Sequence, residues 1–299
     1  MKWLVLGANG QLGRSLSKTL TEREIPFESW GSKQLNIANY DDCHNLIRSL
    51  APMVIINAAA WTDVDGAETN PEAAMLVNSI APRILASIAR DIGAVFAHVS
   101  TDYVFSGNSD HPWQESDERK PVSLYGKSKA EGEVAVLSEY LEGSYIFRTA
   151  WLYSEWGKNF AKTMTRMALN GEEEVRVVSD QVGQPTSAID LANQIIDSIN
   201  AKIPFGIYHG TNSGSTSWYK FAQLIFELAG QTAVRVVPVS SFEFIRPARR
   251  PNYSVLGHES WNQVGESGRQ VAAMRNWKNA LQAEMPNIIR AVKDESVVV

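Results

Sequence analysis

A glycine-rich stretch near the start of the chain constrains the fold more than any other feature of the sequence. Gly7, Gly10 and Gly13 follow a short apolar run and open a segment with helical periodicity. Such a strand-to-helix turn lets the backbone at a helix N-terminus approach the pyrophosphate of a dinucleotide. The spacing is GxxGxxG instead of GxGxxG, so the position directly after the first strand carries the prediction. The cofactor contacts predicted in this turn are Gly7, Gly10, Gln11, Leu12 and Gly13.

Short apolar runs alternate with helical stretches over the first half of the chain. The predicted strands are Lys2–Leu6, Pro26–Trp30, Met53–Asn57, Ala94–Ser100 and Ser144–Thr149. The predicted helices are Gln11–Leu20, Tyr40–Leu50, Pro71–Ile92 and Ser123–Leu137. Most of these strands are apolar without strict alternation, as in a parallel sheet that is buried on both faces. We therefore predict an α/β fold with a Rossmann-type, doubly wound parallel sheet.

After about Thr149 the alternation becomes less regular. Further helices are predicted at Phe160–Asn170, Ser187–Ile199, Ser217–Ala229 and Trp277–Val292, and further strands at Val175–Val178 and Gly206–His209. We expect residues 1–149 to form a dinucleotide-binding domain. Residues 150–299 are expected to form mainly a smaller C-terminal α/β lobe for the substrate, interleaved with the last Rossmann elements.

Composition and charge exclude several kinds of partner. The chain of 299 residues contains one cysteine, Cys43, so neither an internal disulfide nor a multi-thiolate zinc site is expected. The five histidines show no metal-ligand spacing, and no metal site is predicted. The formal net charge is −5 without a block of basic residues, so nucleic acid is not an expected partner. An anionic small molecule would have to be held by local groups.

Hydrophobicity along the chain predicts no membrane segment. The longest hydrophobic run, Ala73–Val77, is far shorter than the ~20 residues that a membrane-spanning helix needs. The N-terminal apolar run turns into the glycine stretch before a signal-peptide core could form. We therefore expect a cytoplasmic protein.

Tyr125 and Lys129 are the candidate catalytic pair. They stand four residues apart near the start of a predicted helix and so share one face of it. A cation beside a phenol lowers the phenol's pKa, which would make Tyr125 a general acid for a carbonyl that is being reduced. Thr101 follows the fourth strand at the edge where open α/β sheets bind ligands, and its hydroxyl could bond the reacting oxygen. The alternatives are a solvent-facing helix pair and a threonine that only caps a turn.

The residues after the second strand bear on the choice of cofactor. An acidic residue there would bind the adenosine 2′-hydroxyl and repel a 2′-phosphate. Glu28 falls inside the predicted strand, and Ser32 and Lys33 follow its end. These two side chains could hold a 2′-phosphate, or they could be ordinary loop residues. NADPH is the expected cofactor, with NADH possible.

Further motifs are distributed along nearly the whole chain. They are Asn57–Asp65 with Glu68, Ser100–Gly107, Tyr125–Lys129, Arg148–Tyr153, Asn159-Phe160, Asp180–Thr186 and Arg250-Pro251. With Gly7–Gly13 they resemble the extended short-chain dehydrogenases/reductases and, within these, the dTDP-4-dehydrorhamnose reductases. The resemblance implies NAD(P)H-dependent reduction of the C4 keto group of dTDP-4-dehydro-L-rhamnose to dTDP-L-rhamnose.

The resemblance also assigns roles to individual residues. It implies a catalytic triad of Thr101, Tyr125 and Lys129. The implied cofactor contacts are Gln11, Leu12, Ala59, Ala60, Trp61, Thr62, Tyr125 and Lys129. The implied substrate contacts are Thr101, Asp102, Tyr125 and Trp151 for the sugar, and Arg250 for the diphosphate.

The sequence leaves two properties of the family undecided for this chain. Where the family usually has Asp near the adenine, this chain has Asn36, which leaves the adenosine contacts and the cofactor preference undecided. Some members bind magnesium at a dimer contact, but this chain has no matching carboxylate motif. A homodimer is a possible assembly.

Two other functions are weighed against the reductase. One is a nucleotide-sugar epimerase or dehydratase of the same superfamily; dehydratases carry an Asp-Glu pair after the active-site Thr, whereas Asp102 is followed by Tyr103 here. The other is a non-catalytic, NADP-binding regulatory subunit, against which the intact Tyr125 and Lys129 argue. Tightly retained NAD would favour the first, and co-purification with a larger partner without turnover would favour the second.

Changing Lys33 to Glu tests the assignment of the 2′-phosphate. We expect Lys33→Glu to raise the KM for NADPH more than the KM for NADH, because only NADPH carries the additional phosphate that the new carboxylate would repel. Steady-state kinetics with both cofactors measure the difference. Equal effects on the two would show that Lys33 does not bind the 2′-phosphate.

Overall fold

The computed structural model describes residues 2–231, 235–262 and 264–297. Its strands are β1 (Trp3–Leu6), β2 (Phe27–Trp30), β3 (Val54–Asn57), β4 (Val95–Thr101), β5 (Ser144–Thr149), β6 (Leu152–Tyr153), β7 (Glu174–Val178), β8 (Val182–Gly183), β9 (Thr186–Ser187), β10 (Gly206–His209), β11 (Thr216–Ser217) and β12 (Arg235–Val239). Its α-helices are α1 (Gln11–Glu22), α2 (Tyr40–Leu50), α3 (Val64–Thr69), α4 (Pro71–Met75), α5 (Ala81–Ile92), α6 (Leu124–Tyr140), α7 (Phe160–Leu169), α8 (Ala188–Ala201), α9 (Trp218–Leu228) and α10 (Trp277–Val297).

A six-stranded parallel sheet with the order β10-β5-β4-β3-β1-β2 forms the centre of the molecule. The prediction of a doubly wound α/β fold is thereby confirmed. Strand β1 lies between β2 and β3, so the chain winds in opposite directions on its two sides. A crevice opens at such a reversal, outside the carboxyl ends of the strands. The residues that follow β1, β3 and β4 therefore converge on one edge of the sheet.

Apolar layers cover both faces of this sheet. All residues of β1 and β3 are buried, which explains why these strands are apolar without alternation. One layer joins side chains of α1 and α8, such as Leu16 and Ile195. The opposite layer joins side chains of α5 and α6, such as Leu85 and Val136. Helix α8, from the second half of the chain, thus completes the same layer as α1.

The segment predicted as one helix, Pro71–Ile92, contains a π-helical turn, Leu76–Ile80, between α4 and α5. The turn packs closely on α6, where a Cβ on Gly132 would lie 2.0 Å from the Asn78 carbonyl oxygen. The fully buried Asn78 side chain accepts a hydrogen bond from the Trp61 N–H (2.8 Å) and donates one to the Trp61 carbonyl (3.1 Å). Such turns often occur at functional sites, and this one anchors the loop after β3.

The second half of the chain contributes to two regions. Strand β10 pairs with β5 in the main sheet, whereas β7 pairs with β12, a parallel strand that the sequence did not reveal. A separate apolar cluster joins α7, α9 and α10 through residues such as Phe221, Trp277 and Leu281. The division into domains at residue 149 stays a prediction. Within the described ranges, no helix is long and apolar enough to cross a membrane.

Candidate active site

The backbone of the glycine turn lies close to the backbone of the loop after β3. Gly7 has a φ of +85°, and a Cβ there would lie 2.6 Å from the Ala59 nitrogen. A Cβ on Gly13 would lie 2.1 Å from the Gly7 carbonyl oxygen, so glycine is needed for the packing of α1 on the turn. Gly10 caps α1 without a side chain, which leaves the first N–H groups of the helix available to an anion.

A cavity of about 1070 Å³ runs from this turn across the carboxyl edge of the sheet. Most of the residues predicted for cofactor, catalysis and sugar line it: Gly7, Gly10, Gln11, Leu12, Ser32, Asn36, Ala59, Ala60, Thr62, Thr101, Asp102, Tyr125, Lys129 and Trp151. Residues that the sequence did not single out also line it, including Tyr103, Phe160 and Trp218. They lie in motifs that the sequence displays, but no local pattern marks their side chains as facing a cleft.

Four predicted site residues lie outside the lining of this cavity. Gly13 packs inside the turn, and Lys33 is exposed on the surface. The indole N–H of Trp61 donates to the Asp63 carbonyl, and its ring packs beside Tyr125 in a small apolar cluster. Arg250 lines a second cavity. Contacts of Gly13, Lys33 and Trp61 with a cofactor stay predictions.

Hydrogen bonds connect the glycine turn to the segment after β6. The Gln11 side-chain oxygen accepts hydrogen bonds from the Ser154 hydroxyl (3.2 Å) and from the Asn159 amide (2.9 Å). Asn159 also caps α7 by accepting from the Lys162 N–H. The first turn of α1 and the start of α7 are therefore fixed to each other across the cavity.

Thr101, Tyr125 and Lys129 come together at the carboxyl end of β4. Thr101 ends β4, and its hydroxyl donates to Asp102 Oδ1 over 3.0 Å. Ser123 caps α6, which sets Tyr125 in the first turn of the helix and Lys129 one turn later. Tyr125 and Lys129 are both buried, and Lys129 Nζ donates to the Val99 carbonyl over 2.6 Å.

The predicted lowering of the Tyr125 pKa is wrong. Burial raises the pKa of Tyr125 to about 12; a hydrogen bond with the Thr101 hydroxyl opposes the rise, and the Asp102 carboxylate adds to it. Lys129 bonds the β4 backbone, so its charge does not stabilise the phenolate as the spacing suggested. Burial lowers the pKa of Lys129 to about 8, against the attraction of Glu133. Tyr125 is consequently a phenol that keeps its proton at neutral pH.

Asp102 is a buried carboxyl beside the Thr101 hydroxyl. It is 2% exposed, and its Oδ2 has no hydrogen-bond partner. Burial raises the pKa of Asp102 to about 6, although the hydroxyls of Ser254 and Thr101 favour the carboxylate. The Ser254 hydroxyl is therefore a neighbour of this carboxyl, and Asp102 as a residue lines the first cavity. Among the residues that the structure describes, no group of three His, Cys, Asp or Glu side chains could hold a metal ion.

A buried ionic cluster surrounds Glu133, one helical turn after Lys129. Glu133, fully buried on α6, accepts from Arg148 Nε and Nη2 (2.9 and 2.7 Å), Arg119 Nε (2.6 Å) and the Ser100 hydroxyl (2.5 Å). Burial alone would raise the pKa of Glu133, but these donors hold it below its ordinary value. The cluster connects α6, β4 and β5. No local pattern in the sequence predicts the cluster, because a glutamate on a helix ordinarily faces solvent.

A second cavity, of about 830 Å³, adjoins the first. Tyr103, Phe160 and Trp218 line both. Its other walls combine arginines with apolar side chains: Arg176, Arg246, Arg249, Arg250, Phe242, Phe244 and Ile245. The described lining contains no carboxylate. Glu243 pairs with Arg176, and Asp65 pairs with Arg246 and Arg250. Four guanidinium groups with two paired carboxylates leave this cavity with an excess of positive charge, in a protein whose formal net charge is −5.

Trp151 forms the wall near the junction of the two cavities. Its ring stacks on Trp218 with centroids 3.6 Å apart and an interplanar angle of 11°. Gly183 lies under the ring, since a Cβ there would come within 2.6 Å of it. Trp151 has a φ of +45°, in the left-handed region that ordinary residues rarely occupy. The stack and the close glycine hold a flat aromatic surface towards the first cavity.

Arg250 is held by an ion pair at the edge of the second cavity. Arg250 Nη2 lies 2.9 Å from Asp65 Oδ2, and Arg250 Nη1 donates to the Ala248 carbonyl. Partial burial would raise the pKa of Asp65, but the Ala248 N–H and Arg250 lower it. The guanidinium is thus oriented before any ligand is bound.

Comparison with known proteins places the chain in a family. The model described as "RmlD substrate binding domain" matches residues 1–289. The chain belongs to this family. Relatives named dTDP-4-dehydrorhamnose reductase match almost the whole length of the chain, which confirms its resemblance to these enzymes.

Three relatives illustrate the similarity of this RmlD family member to known proteins. The dTDP-4-dehydrorhamnose reductase of Streptomyces griseus is 40% identical over 289 residues, which are 95% of this chain and 93% of the relative. A probable dTDP-4,6-dihydroxy-2-methyloxan-3-one 4-ketoreductase of Streptomyces antibioticus is 41% identical over 97% of both chains. The solved dTDP-4-dehydrorhamnose reductase of Bacillus anthracis str. Ames, in complex with NADP, is 36% identical with a TM-score of 0.89, covering 95% of this chain and 98% of that one.

Replacing Asp102 with Asn should make stability depend less on pH. The folded-state pKa of Asp102, about 6, lies above the ordinary value of 3.8, so its contribution to stability is present at acid pH and lost as the pH rises through 6. We expect Asp102→Asn to gain about 2–3 kcal/mol of unfolding free energy relative to wild type between about pH 4 and 7.5. Urea unfolding at the two pH values measures the gain.

Asp65→Asn provides a comparison of opposite sign. The pKa of Asp65 is lowered in the folded protein, so its contribution is present at neutral pH and lost on acidification. This variant should be less stable than wild type near pH 7 and approach it in acid. An Asp102→Asn curve parallel to wild type would contradict the raised pKa of Asp102.

Proposed function

We propose that the chain is an NADPH-dependent oxidoreductase that reduces the C4 keto group of dTDP-4-dehydro-L-rhamnose to dTDP-L-rhamnose. The observation that carries this proposal is the junction of two cavities beside the Thr101 and Tyr125 hydroxyls. One cavity begins at a glycine turn, and the other is lined with arginines. A cofactor and an anionic substrate that occupied them would meet at these hydroxyls.

The first cavity fits a dinucleotide. Its glycines leave space for a pyrophosphate at the N-terminus of α1, where a Cβ on Gly7 would meet the backbone of Ala59. The lining after β2 includes Ser32 and Asn36 and no carboxylate, so nothing described there repels a 2′-phosphate. The NADP complex of the Bacillus anthracis relative supports the same preference. When bound, NADPH supplies the hydride for the carbonyl carbon, and Gly10, Gln11 and Leu12 would hold its pyrophosphate.

The second cavity fits the nucleotide diphosphate. An arginine fork matches phosphate oxygens through paired hydrogen bonds, and Arg250 is already oriented by Asp65. Phe242, Phe244 and Ile245 offer apolar surface to a base. The sugar would then lie between the two cavities, against Trp151 and Asp102, which line the first cavity.

The chain's own chemistry is proton donation and charge stabilisation. A carbonyl that gains hydride develops negative charge on its oxygen, and donors placed beforehand stabilise that charge. Thr101 would be one donor once its single O–H turns from Asp102 towards the carbonyl oxygen. Tyr125 would be the other donor and would deliver the proton. Its raised pKa keeps the phenol protonated at neutral pH, as an acid catalyst requires. Lys129, one helical turn after Tyr125 and bonded to the Val99 carbonyl, would complete the triad as a group whose pKa of about 8 lets it exchange a proton near neutral pH.

The candidate substrates all belong to one chemical class, the nucleotide-linked 4-keto sugars. The names of both Streptomyces relatives describe reduction of dTDP-linked 4-keto sugars, but of different sugars. Loss of NADPH absorbance with dTDP-4-dehydro-L-rhamnose, its UDP analogue and other dTDP-4-keto sugars tests the assignment. Equal turnover of all of them would contradict the specific substrate, and no turnover of any would favour a non-catalytic role. The homodimer stays a prediction.

Tyr125→Phe removes the proposed acid and little else. General acid catalysis contributes about 10²–10⁴-fold to a rate, so we expect kcat to fall within that range while NADPH and the sugar nucleotide still bind. Tyr140→Phe, near the end of the same helix and away from the cavities, is the matched control and should keep wild-type turnover. Near wild-type kcat for Tyr125→Phe would show that the proton comes from another group.

Arg250→Ala tests the diphosphate site. Loss of charge-assisted hydrogen bonds should raise the KM for the sugar nucleotide about 10–100-fold and leave the KM for NADPH unchanged. Asp65→Asn breaks the same ion pair but keeps the guanidinium, so its KM should change much less. If both variants had the same kinetic effect, Arg250 would act through the ion pair alone and not on the phosphates.

A further inference from the structure

Two buried polar side chains connect the cofactor loop to the catalytic lysine. Asn57 ends β3 and His98 lies on β4, and the two are register partners in the parallel sheet. Both side chains are fully buried, which is costly for polar groups unless they are hydrogen-bonded. Neither residue received a role from the sequence or from the proposed mechanism.

The orientation of the Asn57 amide follows from the backbone beside it. The Ala59 N–H, in the loop that lines the first cavity, points at one end of the Asn57 side chain over 3.2 Å. An N–H requires an acceptor, so this end must be the oxygen Oδ1. The amide nitrogen Nδ2 then faces His98 Nδ1 at 3.1 Å.

This orientation selects one tautomer of His98. An amide nitrogen can only donate, so His98 Nδ1 must be the unprotonated, accepting nitrogen. Burial, with Lys129 nearby, places the pKa of His98 well below its ordinary value, and the ring is neutral. A neutral ring carries one proton, which must therefore be on Nε2.

The protonated nitrogen faces the catalytic lysine. His98 Nε2 lies 3.5 Å from Lys129 Nζ, which also donates to the Val99 carbonyl. An ammonium has no lone pair and cannot accept a hydrogen bond from Nε2–H, whereas a neutral amine can. The contact consequently favours the neutral amine over the ammonium.

We propose that Asn57 and His98 are positioning residues that present an Nε2–H to Lys129 and thereby favour its unprotonated form. The same Asn57 side chain fixes Ala59 in the cofactor loop, so the placement of that loop and the protonation of Lys129 depend on one amide. The proposal rests on the proposed function only for the role of Lys129 in catalysis. The tautomer itself follows from hydrogen bonding.

Other groups that face Lys129 act in both directions. Glu133, one turn along α6, favours the ammonium, but its charge is largely compensated by Arg148 and Arg119. Tyr125 on the same helix is a neutral phenol, and Asp102, on the chain after β4, carries a carboxyl. Within this set, the His98 ring is the partner that Asn57 controls.

The tautomer can be measured in the wild-type protein without substrate or cofactor. Nitrogen-15 NMR distinguishes protonated from unprotonated ring nitrogens through their chemical shifts and their couplings to ring protons. We expect His98 to show a proton on Nε2 and a bare Nδ1 between about pH 6 and 8. A proton on Nδ1, or a charged ring, would overturn the proposal.

Asn57→Asp replaces the amide donor that faces His98 Nδ1 with a hydrogen-bond acceptor. A carboxylate accepts from Nδ1–H, which leaves the Nε2 lone pair facing Lys129 and stabilises the ammonium. We expect the His98 tautomer to switch and the pKa of Lys129, followed by NMR of labelled lysine, to rise by at least about one unit. The alkaline limb of the kcat profile should move in the same direction. A switch without a rise in the pKa of Lys129 would overturn the proposal.

Asn193→Asp is the matched control. This residue lies on α8, where its side-chain oxygen already accepts from Arg23. It adds the same carboxylate away from the cavities and should change neither the tautomer nor the pKa of Lys129. If Asn57→Asp does not fold, the wild-type tautomer still decides the proposal. Failure of the proposed function would appear as absent reductase turnover, whereas failure of this inference would appear in NMR spectra of the ligand-free protein.

Discussion

The compensated charge of Glu133 is the interaction on which the geometry of the site depends. A carboxylate with no exposure is tolerated only if its hydrogen-bonding capacity is filled, and here two guanidinium groups and a hydroxyl fill it. Its partners belong to β4, β5 and the segment before α6. Thr101 follows Ser100 directly, and Lys129 precedes Glu133 by one helical turn. The cluster therefore fixes the distance between β4, which ends at Thr101, and α6, which carries Tyr125 and Lys129.

Arg148, the buried partner of Glu133, makes further contacts of its own. The Arg148 guanidinium also lies over the Phe105 ring, 4.8 Å from its centroid, and contacts the Glu115 carbonyl. Such contacts satisfy the remaining donors of a cation that is entirely removed from water. Ser100, which donates to Glu133, lines the first cavity, so the network holds part of the wall of that cavity in place.

Features encoded locally could be predicted from the sequence. The glycine turn, the parallel strands and the Tyr125–Lys129 spacing follow from backbone sterics and from side-chain periodicity, and all lie where they were expected. The wrong expectation, a lowered pKa for Tyr125, came from treating proximity in a helix as contact. In the structure Lys129 bonds the Val99 carbonyl, and burial dominates the phenol. Burial depends on residues distant in the chain, which no single window of sequence reports.

The π-helical turn at Leu76–Ile80 has a consequence for how this chain can change by insertion and deletion. It holds one residue more than a regular helix would, and successive residues of an α-helix are separated by about 100° around the axis. Deleting one residue from the turn would give a continuous, better hydrogen-bonded helix. It would also rotate Asn78 away from Trp61, whose backbone it holds at both N–H and C=O. With the π-helical turn in place, α4 and α5 keep their present orientations. Asn78 also keeps its hydrogen bonds to Trp61 in the loop after β3.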